Sequence, residues 1–123
     1  MKTAKKPSSF KRVSVEDLTA AALDWAVAKC EGKEIAVADG VLWMPTERYH
    51  SDWSLAGPII QREWITVDHE QAPGRQREWV STGDSTLRED GVCIQNGPTP
   101  LIAAMRCYVA CQLGEEISVP RSL

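Results

Sequence analysis

Apolar residues recur at helical spacing most clearly in Asn96–Pro120, NGPTPLIAAMRCYVACQLGEEISVP, and the rest of the chain is expected to be organised around this stretch. Leu101, Met105, Tyr108 and Gln112 follow one helical row, with Ala104 and Val109 beside it. Thr99 is placed to cap the start, and Pro100 fits the first helical position, where a missing N–H costs nothing. Gly114 supplies the stop. Arg106 is the only charge in that body, so the helix is expected to need partner surface on most sides. A second helix is predicted over 15–31, opened by Ser14 with Asp17 in a capping-box arrangement and ended by Gly32. Its apolar row is Leu18, Ala22 and Trp25. Its alanines permit close helix packing, with 100–113 as the expected partner. Trp25 then reads as a core wedge, or alternatively as a stacking surface for a ligand.

Between the helices the period shortens. Phe10–Val13 and 117–119 read as short strands. Residues 34–44 read as a hairpin turning at Asp39-Gly40, with Ile35, Val37, Leu42 and Trp43 toward a sheet face. A short helix is expected from Pro58 to Trp64. A strand at 65–68 follows, then a turn built on Pro73-Gly74 and a returning strand at 77–81 with Trp79 inward. Residues 82–98, with glycines at 83, 91 and 97, read as a long loop. The fold class expected is α+β: two long Ala-rich helices packed together and against a small, mostly antiparallel sheet.

Composition agrees with one core. The chain has 123 residues, 43% hydrophobic and 25% charged. Residues 1–12 are expected to be a disordered basic leader and 13–123 a single globular domain. No apolar run approaches the roughly 18 residues of a membrane span, and no secretion signal is read, so the expected location is a cytosol. Net charge is −3, but five of the 14 basic residues lie in the first 12, leaving nine against 17 acidic ones. An acidic body argues against a large duplex-binding face. The five tryptophans and the basic leader keep a nucleic-acid role open.

Residues 45–57 form the densest chemical stretch, with Tyr49, His50, Ser51, Asp52 and Trp53 in five consecutive positions. They read either as a site or as a turn in which Ser51 caps and Trp53 plugs the core. His50 with Asp52 is a candidate base and orienter, Asp68, His69 and Glu70 are adjacent, and Cys93 is the loop thiol of a conceivable hydrolase. Cys107 and Cys111 share a helix face but belong to no zinc knuckle; the four cysteines read as small apolar filler. No metal, cofactor or catalytic set is expected.

Three blocks resemble the NinX-like family of small proteins from tailed bacteriophages: LTAAALDWAVAKCEG (18–32), YHSDWSLAGPIIQRE (49–63) and GPTPLIAAMRCYVACQLGEEISVP (97–120). The resemblance implies a phage accessory protein of unassigned function, made inside an infected bacterium and dispensable for building the virion. It implies no catalytic residue, cofactor or substrate. Among the blocks it keeps, Asp52, Trp53, Glu63, Thr99 and Arg106 are the residues that packing alone explains least.

The function expected is binding, as a counter-defence protein that sequesters either a nucleotide-derived immune signal or a host defence protein. Tyr49, Ser51, Asp52, Trp53, Glu63, Thr99 and Arg106 are the candidate ligand residues. Aromatic rings would stack, helix starts would offer N–H groups, and arginines (Arg48, Arg62, Arg106) would meet phosphate. A homo-oligomer is expected, because a single domain is not expected to cover helix 100–113 fully. The alternatives are a nucleic-acid accessory of phage recombination and a hydrolase using His50 and Cys93. If the Thr99 end of the helix meets Ser51-Asp52-Trp53 in space, the two form one concave site.

Overall fold

The computed structural model of the chain describes residues 10–33, 37–38, 41–42, 46–70 and 78–123. The order is β1 (Phe10–Ser14), a 3-10 turn (Val15–Asp17), α1 (Ala20–Cys30), β2 (Val37–Ala38), β3 (Val41–Leu42), α2 (Trp53–Arg62), β4 (Thr66–Glu70), β5 (Glu78–Asp84), β6 (Val92–Gly97), α3 (Pro100–Leu113) and β7 (Glu116–Pro120). β4, β5 and β6 form an antiparallel sheet in that order. β1 pairs antiparallel with β7, from Phe10 opposite Pro120 to Ser14 opposite Glu116. β2 and β3 pair across residues 39–40. The fold is α+β.

α3 is the organising element. Thr99 Oγ1 accepts from the Ile102 amide at 3.1 Å, Pro100 is the first helical residue, and Gly114 closes the helix at φ +99°. Residues 101–111 are buried apart from a half-buried Ile102. That covering of 101–111 is supplied within one chain, while Gln112 and Leu113 stay exposed. Its chief partner differs from the expected one. α3 rests mainly on β5 and β6, with α1 and α2 on other sides.

Small residues allow that seat. The sheet face toward α3 presents Ser81 and Gly83 from β5 and Cys93, Gln95 and Gly97 from β6, all buried. A Cβ at Gly97 would lie 2.7 Å from the Ala103 nitrogen, and one at Gly83 3.0 Å from Cys111 Sγ. The glycines of 82–98 therefore mark close helix–sheet contact. Most of that expected loop is strand, the end of β5 and all of β6.

The helix expected over 15–31 is broken. Leu18 and Thr19 are extended, at ψ 129° and 155°, and separate the 3-10 turn from α1. Ser14 makes no side-chain cap; the Val15 amide donates instead to Glu115 O at 2.8 Å, tying the turn to the approach to β7. α2 begins five residues before Pro58, because Asp52 Oδ1 accepts from Ser54 N (2.9 Å) and Ser54 Oγ (2.6 Å). The proline is therefore interior, where it removes only its own bond to the Ser54 carbonyl. β4 runs to Glu70 and β5 to Asp84, both beyond their expected ends. The Asp39-Gly40 and Pro73-Gly74 turns, and the side chains of the 34–44 hairpin, lie outside the described residues. Trp25 is buried, tilted against Phe10 at 6.0 Å, with Lys29 Nζ 5.4 Å from its ring centroid.

Candidate functional site

The seven candidate residues form three groups: Tyr49, Ser51, Asp52 and Trp53 at the start of α2, Glu63 at its end, and Thr99 and Arg106 on α3. Thr99 and Asp52 cap α3 and α2. Tyr49 is buried, and Ser51 is exposed. Arg106, only 8% exposed, spans two backbone carbonyls: its Nε donates to Leu18 O at 2.9 Å and its Nη1 to Asn96 O at 2.8 Å. Burial holds its pKa below the ordinary arginine value; Asp17, Glu16 and Glu78 oppose that shift. The guanidinium thus braces the break before α1 against the end of β6. Among the described residues no hydrogen bond or ion pair joins the Thr99 end of α3 to Ser51-Asp52-Trp53. α2 instead meets α3 at the other end.

There Glu63 belongs to a polar knot where three helices finish. Arg62 donates from Nη2 and Nη1 to Glu31 (2.7 and 3.3 Å), from Nε to Glu63 Oε2 (2.8 Å), and from Nη2 to Tyr108 OH (3.1 Å). The Tyr108 hydroxyl donates to Glu31 Oε2, and Gln112 reaches Glu63 Oε1 at 3.5 Å. Burial alone would raise Glu31, but hydrogen bonds from Arg62 and Tyr108 outweigh it and hold the carboxyl below its ordinary 4.5. Tyr108 is pushed up, first by burial and then by its bond to Glu31. Because the folded Glu31 value is lowered, the stability it contributes is complete above about pH 4.5 and is lost as pH falls through the lowered value. Glu31→Gln is expected to flatten that acid limb in urea titrations followed against pH. An unchanged limb would show that the knot contributes nothing to acid sensitivity.

The other reactive groups are enclosed or committed. His50 is paired with Asp24 on α1, not with Asp52: its amide donates to Oδ1 at 2.9 Å and its Nδ1 lies 2.7 Å from Oδ2. The sequence spacing hid this partner, 26 positions away. Cys93 is 1% exposed and shares the core with Cys107 and Cys111, whose sulfurs lie 4.0 Å apart. Burial raises the Cys93 thiol, as does its contact with Cys111. Cys111 is raised by its bond to Cys107 and then by burial. Cys30 is pushed by burial to about 12. A thiol held protonated is a poor nucleophile, and among the described residues no hydrogen bond joins Cys93 to His50. Among those residues no group of three His, Cys, Asp or Glu side chains is placed to hold a metal ion. No helix among them is long and apolar enough to cross a membrane.

What remains open is the outer side of α2. Trp53 is the first residue of α2 and Trp64 follows its cap, so the two stand at opposite ends of the helix. Trp53 is 55% exposed and is no core plug; Trp64 is 84% exposed. Trp64 also has a left-handed backbone, φ +56°. It occupies the residue after the cap of α2 in a Schellman closure, with Ile65 N bonded to Ile60 O (3.0 Å) and Trp64 N to Gln61 O (3.4 Å). α1 closes the same way with a glycine, Gly32, at that position. Beside Trp64 lies a groove of about 720 Å³, walled by Pro58, Ile60, Gln61, Arg62, Ile65 and Thr66. A second concavity, about 470 Å³, lies between β1, the end of the chain and the start of α1, with no aromatic side chain on its walls. Nothing in the sequence marks Trp64 beyond the end of a short helix, because its significance is conformational.

A helix seated on a small antiparallel sheet, with two tryptophans exposed at the ends of α2, defines a small α+β protein. The family described as "Bacteriophage P22, NinX" matches residues 14–112, and the chain belongs to that family. It is a phage accessory protein. No curated protein matched the chain in sequence.

Proposed function

We propose that this phage protein acts by binding, in the cytoplasm of the infected bacterium, and that it holds a host defence protein rather than a nucleotide-derived signal. The two exposed tryptophans at the ends of α2 carry this reading. One opens the ten-residue helix and the other stands just past its cap, in a backbone conformation that disfavours it. An exposed tryptophan ring beside an apolar groove, as at Trp64, matches the anchors that dominate protein–protein interfaces. A phosphate-bearing signal would want an uncommitted cation in the site. Arg62, the guanidinium at the groove, is already held by Glu31 and Glu63, and Arg106 is bound to backbone carbonyls. The acidic body likewise gives little to a nucleic acid.

The test is to purify the full chain from crosslinked infected cells and weigh everything retained. The expected outcome is a host protein in stoichiometric yield, lost from a Trp53→Ser, Trp64→Ser double variant that still folds. A nucleotide-derived small molecule in place of a protein, or equal retention by the double variant, would overturn the reading.

A further inference from the structure

Resting on that reading, we infer that the groove beside Trp64 and the edge of β4 left unpaired among the described residues together form one docking site for an extended, positively charged segment of a partner protein. β4 lies at one side of its sheet and, among the described residues, pairs only with β5. Its far edge therefore offers backbone donors and acceptors to an added strand. The groove opens onto the start of that edge, since Ile65 and Thr66 line it. A strand laid along Thr66–Glu70 would place an alternate side chain between Ile60, Ile65 and the Trp64 ring.

Charge selects the occupant. The edge strand itself, TVDHE, carries two carboxylates, Asp68 and Glu70, and no lysine or arginine. Arg62 does not offset them, because two further carboxylates bind it. Acidic side chains at an edge deter indiscriminate pairing and leave a cationic strand favoured. They also reject a second copy. Two β4 strands related by a twofold and centred in register would set Asp68 against Asp68, and like charges directly opposite destabilise a pair.

The probe is a set of capped peptides about ten residues long, alternating Lys or Arg with Val, Leu or Trp, titrated into the full chain and followed by amide NMR shifts. Two control sets replace the basic residues with Glu, or carry N-methyl groups on one backbone edge. The basic set is expected to shift amides between residues 58 and 69. The Glu set and the N-methylated set are each expected to bind more weakly by about tenfold or more. Trp64→Gly is expected to weaken the basic set by about tenfold without lowering Tm, since glycine suits the left-handed position. Asp68→Lys is expected to weaken it as well. Absence of binding by the basic set, equal binding by either control set, shifts confined to other residues, or full binding by Trp64→Gly would each overturn the site. A host protein retained equally by wild type and Trp64→Gly would likewise overturn the site while leaving the binding function standing. Loss of every host protein from wild type would remove that function, and the peptide titration would still judge the site.

Discussion

Arg106→Leu is expected to lower unfolding stability by roughly 3 kcal/mol, because each buried polar group left unpaired costs about 1–3 kcal/mol. The Leu18 carbonyl is enclosed by the core and has the arginine Nε as its side-chain donor. The Asn96 carbonyl is only part-buried and would recover some of its loss from water. Leucine keeps much of the apolar stem, so the change reports mainly the two hydrogen bonds. Arg106→Lys is expected to fall between wild type and leucine, since one ammonium lacks the planar fork that spans two acceptors. The measurement is the urea midpoint at constant slope. Against a domain stability of about 5–15 kcal/mol, a loss of this size moves the midpoint far. A leucine variant as stable as wild type would mean that the clamp carries no net stability.

Arg106 also shows where sequence reasoning reaches its limit. A single charge in an apolar helix reads as a ligand contact, because nothing local identifies its partners. They lie 88 and 10 positions away and are backbone atoms, which no pattern of side chains marks. The same holds for His50, whose partner Asp24 sits on another helix, and for Arg62, which joins Glu31 and Tyr108 across three helices. Signals contained within one turn were legible. Thr99-Pro100 and Gly114 bound α3 as the sequence implies, and within the hairpin read over 34–44 Val37–Ala38 pairs with Val41–Leu42. Signals that compete were read less well. Asp52 starts α2 ahead of the proline because a side-chain cap acts before an interior proline can oppose it. Leu18 and Thr19 interrupt a helical pattern because tertiary bonds on both sides hold them extended. Val92–Gly97 carries no apolar alternation, since its buried face is Cys93, Gln95 and Gly97 while Ile94 is exposed, so the glycines of 82–98 look like loop.

Those glycines carry the second large effect. Gly97→Ala is expected to cost about 2–3 kcal/mol, as overpacking of a tight core contact does. The added methyl would meet the Ala103 nitrogen at 2.7 Å, Ile102 Cγ2 at 3.0 Å and Ala103 Cα at 3.1 Å. The first and last are helix backbone, so no rotamer change relieves them. The first turn of α3 would have to lift from β6, straining the Ala103 N to Thr99 O bond of 3.0 Å. Gly83→Ala meets only the sulfurs of Cys111 and Cys107, at 3.0 and 3.1 Å, and is expected to cost about 1 kcal/mol because side-chain ends can yield. Gly57→Ala meets nothing within 4 Å inside α2 and is expected to gain about 0.5–1 kcal/mol from helix propensity. Thermal unfolding of the three variants should therefore rank Gly57→Ala above wild type, Gly83→Ala below it and Gly97→Ala lowest. The ranking follows only if α3 lies in backbone contact with β6. If Gly97→Ala melts with Gly57→Ala, the helix is not seated on the sheet at that distance, and the small residues at 83, 93 and 97 need another explanation.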